Sequence, residues 1–179
     1  MATGAEQAEV VAWLGSSEAH GGAEVEQIET HASIVFIAAG RAWKIKRAVK
    51  YDYLDFSTVA RRKAACEDEV RINRRTAPAI YLGAVPITRG SDDAFAFGGD
   101  GPAVEWAIEM RSFDQNLLLD RLAARGALEP GLMPALAAEI ARFHGVAAPR
   151  RDHGGAAGMT WVVDGNAEGF AHEGHDVVP

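Results

Sequence analysis

The spacing of apolar positions divides this chain into a strand-rich first part and a helix-rich second part. Residues 33–38 and 42–47 read as two strands reversed at Ala39-Gly40-Arg41, where glycine accepts the positive φ of a tight turn. Further strands are predicted near 81–88, 94–97 and 103–110, and the run Gly98-Gly99-Asp100-Gly101 before the last of them reads as a hairpin turn. At the start, Val10, Val11 and Leu14 with Trp13 predict a short amphipathic helix from Glu6, ended by Gly15. Ser57 or Thr58 can cap a second helix running to Arg75, stopped by Thr76-Ala77-Pro78. Its apolar arc is Val59, Ala65, Cys66, Val70 and Ile72. After Arg111 the period changes. Asp114 caps a helix to Arg125 closed by Gly126, and Leu132, Leu136, Ile140 and Phe143 recur at helical spacing up to His144. From Ala147 onward the glycine, alanine and polar content predicts an irregular tail. The expected fold class is α+β, a mainly antiparallel sheet with one helix followed by a helical part.

Two elements carry candidate chemistry. Alternate residues of a strand share a face, so Ala42, Lys44 and Lys46 lie on one side and Trp43 and Ile45 on the other. In kinase N-lobes a strand lysine grips nucleotide phosphates, and a small residue two positions earlier leaves room for the base. Ala42 and Lys44 have that spacing, with Lys46 as the second candidate; on pattern alone a solvated strand edge fits equally well. On the following helix Glu69 falls inside the apolar arc, while Glu67 sits at its edge and Asp68 on the far side. A carboxylate aimed at the sheet needs a cation, which makes Lys44 its expected partner. The competing reading pairs Glu69 with Arg62 or Asn73 on its own helix. His31-Ala32-Ser33, at the entry to a strand, is a third element: a turn whose amides and hydroxyl can cover phosphates.

Composition narrows the functional classes. With 179 residues, 48% of them apolar, the chain can bury one core or one lobe and part of another. A net charge of -7 and a pI near 5.3 give no electrostatic reason to bind nucleic acid or an anionic membrane. Cys66 is the sole cysteine, which excludes an internal disulfide or thiolate metal site and fits a reducing cytoplasm. No leader-like segment or long apolar run is present, and no Gly-x-x-x-x-Gly-Lys-Ser/Thr segment marks a P-loop.

Beyond these spacings, Glu29-Thr30-His31-Ala32-Ser33-Ile34-Val35-Phe36, Ala42-Trp43-Lys44-Ile45-Lys46-Arg47, Leu54-Asp55-Phe56-Ser57-Thr58 and Cys66-Glu67-Asp68-Glu69-Val70-Arg71-Ile72-Asn73-Arg74-Arg75 carry a likeness to a known family. It continues through Ala77-Pro78-Ala79-Ile80-Tyr81-Leu82-Gly83, Val104-Glu105-Trp106-Ala107-Ile108-Glu109-Met110, Ala141-Arg142-Phe143-His144 and residues 158–166. Together they resemble the bacterial aminoglycoside phosphotransferase-like domain, which is often fused to a C-terminal P-loop ATPase domain. The resemblance implies a protein-kinase-like N-lobe over residues 1–110, a hinge and first C-lobe helices over 111–146, and a truncated C-lobe over 147–179. It implies that Lys44 or Lys46 with Glu69 binds phosphates, that Ser33 lies in the phosphate-covering turn, and that Glu109, Met110 and Arg111 form the hinge meeting the adenine of ATP with magnesium. Members of that fold use a His-Gly-Asp-type loop with a downstream Asn and a metal-binding Asp, and this sequence contains none of these. The expectation is an ATP-binding lobe of a small-molecule kinase fold, inactive alone, whose partner is a missing C-lobe or a P-loop ATPase. The alternative is a non-catalytic interaction module or half of a split phosphotransferase.

Other conspicuous residues have plain explanations. Cys66 reads as a small core residue and Trp43, Trp106 and Trp161 as packing residues. Arg61-Arg62-Lys63 and Arg74-Arg75 read as solvated helix charges. A metal set of His172, Glu173 and His175 ranks last, because flanking glycine and a terminal position favour fraying. No catalytic residue and no metal ligand is assigned.

Overall fold

A computed structural model describes residues 4–152 and 154–173. The chain forms two compact units, one reaching Leu128 and the other starting at Glu129. Residues 1–110, the lobe that the resemblance implies, fall within the first unit.

The first unit is a six-stranded antiparallel sheet between two helices. Helix α1, Gly4–Leu14, precedes strands β1, Glu26–Glu29, β2, Ser33–Ala38, and β3, Arg41–Lys46. A small hairpin of β4, Lys50–Tyr51, and β5, Leu54–Asp55, leads into helix α2, Val59–Asn73. The sheet is completed by β6, Tyr81–Arg89, β7, Phe95–Phe97, and β8, Ala103–Arg111, in the order β1-β2-β3-β8-β6-β7. A 3-10 turn at Gln115–Leu117, capped by Asp114, and the short helix α3, Leu119–Ala124, close the unit. Among these elements β1 and the β4–β5 hairpin are not evident from the apolar pattern. β1 reads Glu-Gln-Ile-Glu, with a single apolar residue to alternate.

Local chemistry explains the reversals. The β2–β3 turn has φ of 48° at Ala39 and 76° at Gly40, the pair of positive values that a two-residue type I′ hairpin requires. Thr58 caps α2 by accepting a hydrogen bond from the Arg61 amide at 3.3 Å. The run Gly98 to Gly101 is not a hairpin turn, because β7 and β8 are not neighbours; both pair with β6, and the run crosses over that strand. A Cβ at Gly101 would lie 2.0 Å from the Arg89 carbonyl oxygen, so the crossing passes too close to β6 for any side chain.

Each sheet face has its own core. Val10 and Leu14 of α1 pack with Ile34, Phe36, Ile45, Ile87 and Ala107 on one side. On the other, Cys66 and Val70 of α2 meet Ile108, flanked by Tyr81, Ala84, Trp106 and Met110. The buried stripe of α2 is rotated from the expected arc: it contains Arg62, which is fully buried, and leaves Ile72 half exposed. Arg62 is thus not a solvated helix charge. Its guanidinium enters the interior because Glu105 of β8 is also fully buried there and accepts from it.

The second unit holds helix α4, Leu132–Val146, and helix α5, Gly155–Glu173. The irregular tail expected from residue 147 is in large part this 19-residue helix. Glycines inflate the loop-like look of the segment, but Met159, Trp161, Val162, Val163 and Phe170 among them are compatible with helix. No residue of α4 is buried, and Trp161, expected to pack, is 74% exposed. Among the described residues no helix is long and apolar enough to cross a membrane. The set His172, Glu173 and His175 reaches beyond the described residues.

Candidate functional site

β3 is a central strand, paired with β2 and β8, and its two faces differ in chemistry. Residues opposite each other in a ladder share a face. Ala42 lies across from Ile37 and Met110, Lys44 across from Val35 and Ile108, and Lys46 across from Ser33. The lysine face is therefore walled by apolar side chains and covered at one end by α2.

The arrangement that α2 makes with that face is the main feature of the site. Lys44 Nζ donates to Glu69 Oε1 at 2.9 Å, and Lys46 Nζ donates to Glu69 Oε2. Neither oxygen is shared, so one carboxylate holds two ammonium groups apart and in register. Side-chain exposure is 27% for Lys44, 10% for Lys46 and 15% for Glu69, so the Lys44 head is the more accessible. Burial alone would raise the Glu69 pKa; the hydrogen bonds and charges of Lys46 and Lys44 outweigh it and hold the carboxyl below its ordinary value. The trio of two lysines and one glutamate keeps one surplus positive charge in a half-buried setting. An anion arriving there completes the charge balance.

The competing pairings of Glu69 are resolved by geometry. Arg62 turns to Glu105, with Nε 2.9 and 2.8 Å from the two carboxylate oxygens. Asn73 donates to the main-chain carbonyl of Glu69 at 2.9 Å, leaving the carboxylate to the lysines. Glu67 and Asp68 face outward, paired with Lys63 and Arg71.

Around the trio, Tyr81 has its phenol pKa raised, first by burial and then by the negative charge of Glu69. Burial pushes the Cys66 thiol up to about 12, so it is an inert core group. The Phe56 ring lies 5.5 Å from Lys46 Nζ, a cation–π contact.

The remaining sequence-selected residues are placed as follows. Ser33 opens β2, is buried, and donates its amide to the Thr30 hydroxyl at 3.0 Å, so the β1–β2 turn presents His31 and Ala32 at its tip. Glu109, Met110 and Arg111 end β8 as ladder residues. Glu109 pairs with Arg41 at 2.8 Å, the Arg111 amide donates to Ile80 O at 2.9 Å, and the Ser112 amide donates to Gly40 O at 3.1 Å. All three expected hinge residues thus lie within β8, and the amides of Arg111 and Ser112 are committed to the main chain just before β6 and in the β2–β3 turn. The sequence does not single out Gln7 and Glu105, and it offers Arg62 only as a solvated helix charge or a partner of Glu69. They form a buried network with Nε2 of Gln7 2.7 Å from Glu105 Oε2. The available signal was Arg62 standing four residues before Cys66 on the same helical stripe. Among the described residues no three His, Cys, Asp or Glu side chains come together in a way that would hold a metal ion.

Comparison with known proteins gives relatives without an assigned activity. No protein-family model matches the chain, and no solved structure matches it. Uncharacterized proteins of Mycobacterium bovis and of two Mycobacterium tuberculosis strains are each 34% identical over 116 residues, 65% of this chain. The chain spans 22% of the length of these curated relatives.

Proposed function

We propose that the sheet unit binds the phosphates of a nucleotide, as the ATP-binding lobe of a phosphotransferase-like, kinase-like protein. The observation that carries this reading is the split engagement of Glu69 by Lys44 and Lys46, with one surplus positive charge on an apolar-walled face. A carboxylate that fixes a strand lysine leaves its ammonium aimed and partly desolvated, which is what a phosphate oxygen needs from a point cation. Ala42, a small residue two positions before Lys44 and 6% exposed, keeps the face beside it low enough for a flat ring. The two lysines suit the phosphates. The described residues offer no cluster for magnesium, so on this reading the metal arrives coordinated to the nucleotide. No His-Gly-Asp motif occurs in the sequence, so binding, not transfer, is assigned to this chain, and the acceptor site belongs to a further C-lobe or a P-loop ATPase partner.

The exposed apolar residues Leu136, Ile140, Met159 and Trp161 of the second unit favour a second reading, an interaction module or half of a split phosphotransferase. The two readings separate on one measurement. With Mg-ATP at 100 times its Kd, binding to the folded state alone adds about 2.7 kcal/mol of stability. A thermal-melting shift that grows with nucleotide and is absent in Lys44→Ala supports the nucleotide lobe. An unshifted melt at millimolar nucleotide leaves the interaction module.

A further inference from the structure

Lys46 is held at its main chain and at its head by groups other than Glu69. At its main chain, Gln7 of α1 donates Nε2 to the Lys46 carbonyl at 2.8 Å and accepts the Ala48 amide on Oε1 at 2.7 Å, which clamps the strand end. The same Nε2 donates to Glu105 at 2.7 Å, and Glu105 accepts both the Trp106 amide at 2.9 Å and the Arg62 guanidinium. Arg62 continues to the Phe56 carbonyl, with Nη1 at 2.9 Å, and the ring of that same Phe56 lies 5.5 Å from the Lys46 ammonium. The chain of contacts therefore starts at the Lys46 backbone and returns to the Lys46 head.

Stability alone does not account for this network. A buried ion pair often contributes no more than well-packed apolar residues of the same volume, and here Arg62 Nη2 is buried without a hydrogen-bond partner among the described residues. What the hydrogen bonds add is direction, because they fix a strand end and a ring in one position each. We infer that Gln7, Glu105, Arg62 and Phe56 are positioning residues for Lys46, so that Lys46 is the fixed anchor of Glu69 and Lys44 is the head that meets the anion. The anion's identity rests on the nucleotide reading above; the division of roles between the two lysines does not. The exposures agree, with 10% at Lys46 against 27% at Lys44.

The test uses the full chain and two readouts, the Glu69 carboxylate followed by carbon NMR against pH and Mg-ATP affinity by calorimetry. Gln7→Ala and Phe56→Leu are each expected to raise the Glu69 midpoint by about one pH unit, because Lys46 loses its fixed approach. Both are expected to weaken Mg-ATP about tenfold, a shift of roughly 1.4 kcal/mol. Lys46→Met should move the Glu69 midpoint more than Lys44→Met does, and Lys44→Met should cost more nucleotide affinity. Should Gln7→Ala fail to fold, Phe56→Leu, which keeps the carbonyl and most of the volume, decides the matter. Variants that lower the melting temperature while leaving the Glu69 midpoint in place overturn the inference, as does a larger midpoint change in Lys44→Met. A wild type that binds no Mg-ATP removes the nucleotide reading, and the midpoint comparison still tests the positioning.

Discussion

At the scale of single residues, the account turns on Glu69. Its carboxyl is held below the ordinary value of 4.5 by two lysines, against the upward pull of burial. A depressed folded-state value stabilises the protein above the unfolded-state pKa, and that contribution disappears as pH falls through the folded value. Wild type should therefore exceed Glu69→Gln in urea midpoint at neutral pH, and the gap should close as the pH is taken below 4.5. A gap that stays constant down to acid pH contradicts the assignment. Cys66 offers a second check, since its thiol is fully buried and pushed up to about 12. It should resist alkylation in the native protein at neutral pH and react once the chain is unfolded in denaturant; fast native labelling contradicts the packing of α2. The lysines and Glu69 were legible because a period of two and a period of 3.6 place them on facing surfaces. Gln7 and Glu105 were not, since they are 98 positions apart and meet only through the fold.

At the scale of elements, the buried Arg62–Glu105 pair ties α2 to β8, and Gln7 brings in α1. Removing one charge of a buried pair leaves the other unpaired, which costs about 3–5 kcal/mol. Arg62→Met should lose that much by urea denaturation, and Arg62→Met with Glu105→Leu should recover a large part of it. A double variant as unstable as the sum of the singles contradicts the pairing. The β2–β3 turn makes a prediction of opposite sign. Ala39 holds φ of 48°, where Asn is better tolerated than Ala, so Ala39→Asn should stabilise by about 0.5 kcal/mol, read as a raised melting temperature. That hairpin is plain from Gly40, whereas the glycine run Gly98 to Gly101 predicts a hairpin and is a crossing over β6. The same glycine-rich composition serves a reversal or a close passage, and only the strand order distinguishes them. Cap and period locate α2, but polarity alone puts Arg62 at the surface and Ile72 in the core, the reverse of their places in the fold. Partner availability in the fold, not side-chain polarity, decided both.

At the scale of the whole molecule, the two compact units differ in character. The first has a core on each sheet face and a charged trio set between sheet and helix. The second exposes apolar residues along α4 and α5, among them Leu136, Ile140, Trp161 and Phe170. The α+β class was legible because strand and helix periods occupy separate stretches of the chain. The boundary at Leu128 and helix α5 were not, since α3 belongs to the first unit and glycines mask the helical content of residues 155–173. The central claim is that the trio binds nucleotide phosphates. Isothermal titration of the purified chain with Mg-ATP, alongside Lys44→Ala and Glu69→Ala, tests it most directly. The account predicts saturable binding by wild type that is lost in both variants while their folds persist; a folded wild type that takes up no nucleotide, or variants that bind as well as it does, contradicts it.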